Sequence, residues 1–427
     1  MAENPDQIRP LAPSLTITAV QNSIEGTASD LVLTYSPNSV LSLGGVVFRL
    51  PDGFTATTND ILNNNNLTSS QLSEGGRKVT LPLTLDLLGL AQFTLVLKNK
   101  TLPAPGTYTF SAENTVLIIG SLLPASADLT VNPAAFAYVT NYLSNHVGVI
   151  NKMTGTVSSV ISVGAAPLGI TITPDGRFLY VCNSGENSVS VLSTETNSEV
   201  GRIPAGASPY KIAASPNGNF IYVTNQQSSN VYVISTQTNT VTSVIPVGLL
   251  PTGIAVSPNG QLVYVLNTNT NTVSIIRTSD NTVAATIIMP YSSPSDAVFS
   301  PDGSKAYMTN LNSNNLAIID TGTNTIIDTV NSELNPLGVT VTPDGAKVYI
   351  LNSSSSTVSV LDTAANTITA VIPVGLYPFS AKPAADGTRI FVTNFFSNLI
   401  SIIDTASDTV VGTITSVLYP ADIVIRP

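Results

Sequence analysis

The chain has 427 residues and a mass of 44.4 kDa, a length that fits two or three domains. Hydrophobic residues make up 43% and charged residues only 10%, against roughly 25% charged in an average soluble protein, so Ser, Thr and Asn must solvate the surface. With 16 Lys+Arg, a net charge of −10 and no basic run, the chain lacks the positive footprint that nucleic-acid binding needs, and a single Cys excludes an internal disulfide.

Residues 1–13 hold no apolar stretch of the kind a signal peptide carries, and they are expected to form a flexible arm. Residues 14–132 carry seven β-type runs: SLTITAV, DLVLTYS, GVVFRLP, KVTLPLTL, AQFTLVLK, GTYTFSAE and ADLTV. Turn-rich stretches such as APG and LPDG separate them. The pattern predicts a β-sandwich, immunoglobulin-like in type. The polar segment from Ala56 to Gly76 is expected to be a surface loop with one helical turn. Sequons stand at Asn66, Asn99 and Asn352. The longest apolar stretches, such as VLIIGSLL from Val116 to Leu123, are too short to span a bilayer. The link VNPAA is very short, which predicts stiff coupling between this domain and the next.

From Ala134 to Pro427 the chain repeats a phrase. YVTN at Tyr138, YVCN at Tyr180 and their equivalents end on Asn141, Asn183, Asn225, Asn267, Asn310, Asn352 and Asn394, at steps of 42 or 43 residues. A period in the forties with two-residue alternation predicts propeller blades of four strands. Asp-Gly and Asn-Gly pairs, from Asp175-Gly176 to Asp386-Gly387, mark tight turns between first and second strands. The array starts in a second strand, AFAYVTN, and stops after a first strand, YPADIVIRP. One blade is therefore expected to draw strands from both ends of the array, which removes exposed edges. The expected fold is all-β: an N-terminal β-sandwich (14–132), then a seven-bladed β-propeller (134–427) closed by the C-terminal strand.

The consensus YVTN…SN.V.VID..TNTV…I.VG..P.GIA.SPDG resembles the YVTN-type β-propeller repeat of archaeal surface-layer proteins and of bacterial secreted and surface proteins. The resemblance covers residues 134–427. It implies the propeller fold and an extracellular or cell-surface setting. A more distant likeness is to seven-bladed lactonases, which implies His, Arg and Glu converging on the ring mouth.

Laying the seven units on one another gives an internal control for each unusual residue. His146, the one histidine, falls in a varied polar column at the start of a third strand; Cys182 falls in a column of Thr and Leu. The repeated Asn is expected to bond the backbone of the turn after it. Asp320, Asp362 and Asp404 close third strands and read as turn formers. No nucleotide loop, zinc spacing or Ser-His-Asp set is visible, so no catalytic residue, metal or cofactor is expected.

Two columns stand out. Two residues after the proline that opens each first strand come Gly169, Lys211, Gly253, Asp296, Gly338, Ser380 and Asp422. This column should rim the central channel. Lys211, Asp296 and Asp422, with Tyr210 and Phe379 beside them, are the small-ligand candidates there, and their charges are expected to be solvated. On the face that carries the blade-to-blade loops, those loops hold Leu249-Leu250, Tyr291, Leu376-Tyr377 and Leu418-Tyr419, and Tyr142-Leu143 and Phe395-Phe396 stand where other units show SGEN, QQSS or SSSS. Blades holding Phe395 and Tyr142 are neighbours across the closure, so one apolar patch is expected.

The sequence supports a non-enzymatic extracellular or cell-envelope protein that acts as an interaction module or as a subunit of a surface layer, coat or fibre. Its partners would be further copies of itself, head to tail, or other surface proteins or glycans. Head-to-tail contact is expected if the sandwich hangs from the face opposite the patch. The alternatives are a soluble lactonase-type enzyme and a monomeric adhesin for carbohydrate or protein.

Overall fold

The structure is a computed structural model. It describes residues 14–19, 28–36, 42–52, 54–57, 59–62, 65–67, 69–86, 93–101, 106–114, 125–131, 136–151, 155–415 and 417–427. Residues 1–13, where the arm was expected, and residues 132–135 of the link lie outside them. The chain divides into two compact units, Met1–Ala134 and Ala135–Pro427.

Among the described residues, ten strands build the first unit: β1 (Ser14–Ala19), β2 (Ala28–Ser36), β3 (Ser42–Arg49), β4 (Ile61–Leu62), β5 (Asn65–Asn66), β6 (Leu72–Ser73), β7 (Lys78–Asp86), β8 (Phe93–Thr101), β9 (Gly106–Asn114) and β10 (Ala125–Val131). They form two five-stranded sheets, ordered β1-β2-β8-β4-β5 and β10-β9-β3-β7-β6. Period-2 alternation buries Leu33, Phe48, Val79, Leu95, Leu97 and Phe110. The Ala56–Gly76 segment is not the expected loop. It supplies β4, β5 and β6 and two 3-10 turns, and it buries Ala56, Asp60 and Leu67. The Asp60 carboxylate accepts the Thr57 amide at 2.6 Å, which satisfies that buried charge. Polar composition hid a segment ordered by backbone pairing.

Among the described residues, the second unit is made of seven four-stranded antiparallel sheets. The second sheet is typical: Pro167–Ile172, Phe178–Asn183, Ser188–Ser193 and Ser198–Pro204. Second and third strands are buried along nearly their whole length, whereas fourth strands alternate between exposed and covered. That gradient places the first three strands between neighbouring sheets and the fourth at the outer rim. Each third–fourth pair carries a register shift at the same place, as between Val191 and Leu192, a bulge that sharpens the twist. First strands lie side by side in sequence order. Pro420–Ile425 closes the circuit, packing beside Pro167–Ile172 and Pro378–Pro383 and pairing with Phe136–Asn141.

The repeated phrase explains how sheets adhere. Val, Ile and Leu flanking the Tyr fill clusters shared by adjacent sheets. The buried Tyr hydroxyl reaches the turn between third and fourth strands of the next sheet: Tyr180 donates to Asn239 Oδ1 at 2.7 Å, and Tyr349 to Asp408 Oδ1 at 2.8 Å. Those turn residues adopt positive φ, which Asn tolerates. Contrary to expectation, the Asn ending the phrase does not principally bond the backbone of the turn after it. Asn183 Nδ2 donates to Ser188 Oγ at 2.9 Å and Ser190 Oγ at 2.8 Å, both on the third strand. Asn352 is fully buried, so its sequon is closed to a glycan. Asp320, Asp362 and Asp404 accept turn amides, as a turn former does.

Candidate functional site

The first-strand column Gly169 to Asp422 obeys a steric rule. At its glycines a Cβ would sit 2.6 Å from Tyr210 O, 2.6 Å from Ser295 O and 2.7 Å from Phe379 O, each a carbonyl of the next first strand. Only glycine fits. Opposite these glycines the second strand carries Cys182, Leu266 and Leu351. Where the column holds a side chain, the second strand carries Thr instead. The hydroxyls of Thr224, Thr309, Thr393 and Thr140 accept the amides of Lys211, Asp296, Ser380 and Asp422 at 2.9–3.1 Å. The pairing of the two columns is legible in the sequence once the units are laid side by side.

The charges in this column are not solvated. The side chains of Lys211, Asp296 and Asp422 are 13%, 14% and 4% exposed and form one cluster. Lys211 Nζ lies 3.4 Å from Asp422 Oδ2 and 4.0 Å from Asp296 Oδ2. It also stands 5.9 Å from the centre of the Phe379 ring, within cation–π range. The expectation of solvation failed because the three side chains, placed at the channel as expected, meet one another there instead of water.

The two carboxylates differ in their donors. Asp422 Oδ1 accepts the Ser380 hydroxyl and the Ile423 amide, and Oδ2 accepts the Ile170 amide at 3.3 Å besides facing Lys211. Among the described residues Asp296 Oδ1 accepts only its neighbour's amide, Ala297 N–H at 3.0 Å, and its other oxygen is beyond hydrogen-bond reach of Lys211. Burial pushes both carboxyls up. For Asp422 the nearby Lys211 and Lys382, with the hydrogen bonds, outweigh it and hold the group below the usual range. For Asp296 burial wins over the same lysines, and the group is raised. Burial alone would lower Lys211, but Asp422 and then Asp296 hold the ammonium above its ordinary value.

The cluster forms one end of a cavity of about 450 Å³ along the first strands. The cavity reaches Pro174, Pro216 and Pro258, just before the Asp-Gly and Asn-Gly turns. Its ionisable lining residues are Lys211, Asp296, Asp422 and Lys382. Lys382 escaped the sequence reading. Its column reads Thr171, Ala213, Ala255, Val298, Thr340, Lys382 and Val424, where one charge among small and apolar residues was the signal. Among the described residues no group of three or more His, Cys, Asp and Glu could hold a metal ion.

Beside the cluster lie the rings. Tyr210 and Phe379 meet at 6.4 Å, and Phe379 meets Phe395 at 5.8 Å. Phe395 is the hub of a cluster with Tyr142, Phe396 and Tyr419 at 5.7, 5.2 and 5.4 Å, and Tyr377 stands 4.9 Å from Phe396. The two candidate groups of the sequence are thus joined through Phe379. Leu143 and Phe396 stay exposed, at 59% and 56%, and Leu249, Leu334, Leu376 and Leu418 are exposed in one repeated loop position.

Residues 127–420 match the model of the Virginiamycin B lyase family, a β-propeller family, and residues 15–134 match that of Biofilm surface layer A. The chain is 53% identical over 116 residues to Biofilm-surface layer protein A of Bacillus subtilis (strain 168), covering 27% of this chain and 64% of that protein, so it spans less than two thirds of that relative. It is 47% identical over 121 residues to Probable biofilm-surface layer protein B of the same organism, covering 28% of this chain and 78% of that one. The structure of a putative 6-phosphogluconolactonase from Bacteroides fragilis superposes with a TM-score of 0.60 at 18% identity, over 69% of this chain and 98% of that one, a likeness of fold alone. Among the described residues no helix is long and apolar enough to cross a membrane.

Proposed function

The chain belongs to the virginiamycin B lyase family through its repeat array and carries a domain of the biofilm surface layer A family, and from this premise we propose that it is a non-enzymatic, extracellular structural or interaction protein of a biofilm or cell surface. The likeness of the first unit to biofilm-surface layer proteins carries this reading. In it, the two N-terminal sheets are the faces of an immunoglobulin-like sandwich that anchors the protein in the layer. The seven four-stranded sheets are the blades of a propeller of the YVTN type, which presents the aromatic cluster around Phe395 to other copies or to other surface proteins and glycans. Subunits meet head to tail through that cluster. Immunogold labelling of the native biofilm is the test. Full-length protein is expected in the extracellular layer, and a variant lacking residues 1–134 is expected to be lost from it. Label confined to the cell interior would overturn the reading.

The cavity favours a second reading, an enzyme of lyase or lactonase type acting at Lys211, Asp296 and Asp422. A screen of lactones and esters distinguishes the two. Background rates are expected, and turnover that Lys211→Ala abolishes would establish the enzyme.

A further inference from the structure

The cavity along the first strands holds two charges of opposite sign that the protein leaves short of hydrogen-bond partners. Asp296 faces it with a carboxylate whose one close donor among the described residues is the adjacent Ala297 amide, and Lys211 stands 4.0 Å away, already nearer to Asp422 at 3.4 Å. Asp422, by contrast, has both oxygens engaged by donors from Ser380, Ile423, Ile170 and Lys211. Lys382 lines the same cavity, is exposed within it, and makes no ion pair with a described residue. Its four-carbon stem lets the ammonium swing toward a ligand. The remaining wall is mixed: Ile172, Ile254, Val256 and Val339 supply its aliphatic part, and Thr171, Ser215 and Thr340 its hydroxyls. At about 450 Å³ the space has the size of a small-molecule site.

Open charges in a partly desolvated cavity select for a ligand that completes both. A simple anion would satisfy Lys382 and be repelled by Asp296. A simple cation would do the reverse. A neutral sugar would bring no charge to either. We propose that the cavity binds a small zwitterion of the α-amino-acid type, with its ammonium on Asp296, its carboxylate on Lys382 and an apolar side chain against the aliphatic part of the wall. The aromatic residues around Phe395 do not line this cavity, and binding there stands or falls independently of the surface role.

Calorimetric titration of the full chain with L-leucine, N-acetyl-L-leucine and L-leucinamide tests this. Leucine is expected to bind, and each blocked form to bind at least about tenfold more weakly, since each removes one charge-assisted contact. Asp296→Asn is expected to weaken leucine by a similar factor and to erase the discrimination against the N-acetyl form. Lys382→Gln is expected to erase the discrimination against the amide, and it leaves the direct contacts between Lys211, Asp296 and Asp422 in place. Thermal melts check that both variants fold, and should Asp296→Asn fail, Lys382→Gln and the blocked ligands still decide. Absence of leucine binding at millimolar concentration, or equal binding of leucine and N-acetyl-leucine, overturns the proposal.

Discussion

Lys211 shares one ammonium between two carboxylates, and the sharing is unequal. Asp422 is held down and Asp296 is pushed up, although both face the same lysines, because only Asp422 has a full set of donors. These directions fix the sign of each contribution to stability. Asp422, lowered in the fold, stabilises above the unfolded Asp pKa of about 3.9, and that contribution is lost as pH falls through its folded value. Asp296, raised in the fold, favours folding while protonated, and that contribution is lost as pH rises through its folded value. At neutral pH Asp422→Asn should therefore cost on the order of 3–5 kcal/mol, the scale of breaking a buried pair. Asp296→Asn should leave the melting temperature unchanged or higher, with the difference from wild type closing below about pH 4. Melting curves of both variants from pH 3 to 8 check the contrast. The sequence displayed the three charges as exceptions to a glycine column, but not their burial. Strand alternation fixes which side a residue takes, whereas convergence on the axis depends on how seven sheets are placed around it.

At the scale of elements, the array was the most legible part of the chain, because its period, its turns and its split sheet are all written as local residue choices. The N-terminal segment around Asp60 was not, because its short strands depend on pairing with β8 and β7 rather than on composition. The recurring Asn was visible but misassigned: its donors reach across to the third strand, a contact set by pairing register that one strand's sequence does not display. The glycine rule gives a sharp prediction. Gly253→Ala places a Cβ 2.6 Å from Ser295 O, and such overpacking against backbone should destabilise by about 1–3 kcal/mol. Denaturant midpoints measure it. Ring closure gives another. Removing residues 420–427 deletes the partner of Phe136–Asn141 and opens the buried positions of Ala421, Ile423 and Val424. The truncated chain should melt well below the full one and aggregate through the freed edge; equal melting temperatures would contradict the closure.

In the repeat array, the loops that hold Leu143, Leu249, Leu334, Leu376, Phe396 and Leu418 expose large apolar side chains, as the fourth strands also do, whereas the turns between first and second strands are Asp-Gly and Asn-Gly. Phe395→Ser with Phe396→Ser removes the hub of the aromatic cluster. If the cluster joins copies, light scattering should show wild type assembling with concentration and the double variant remaining monomeric; equal assembly by both would exclude that surface. The closing strand also has a consequence in time. Ala137 pairs with Ile425, so the first sheet lacks its innermost member until nearly the whole array has left the ribosome. Contacts this distant in sequence carry a large loop-closure entropy and fold slowly. Throughout synthesis Phe136–Asn141 presents an open edge to any other strand in reach, including the same segment of a neighbouring nascent chain. The last step of folding is therefore a competition between the chain's own final strand and a stranger's, and dilution or a chaperone that covers that edge should raise the yield of closed rings.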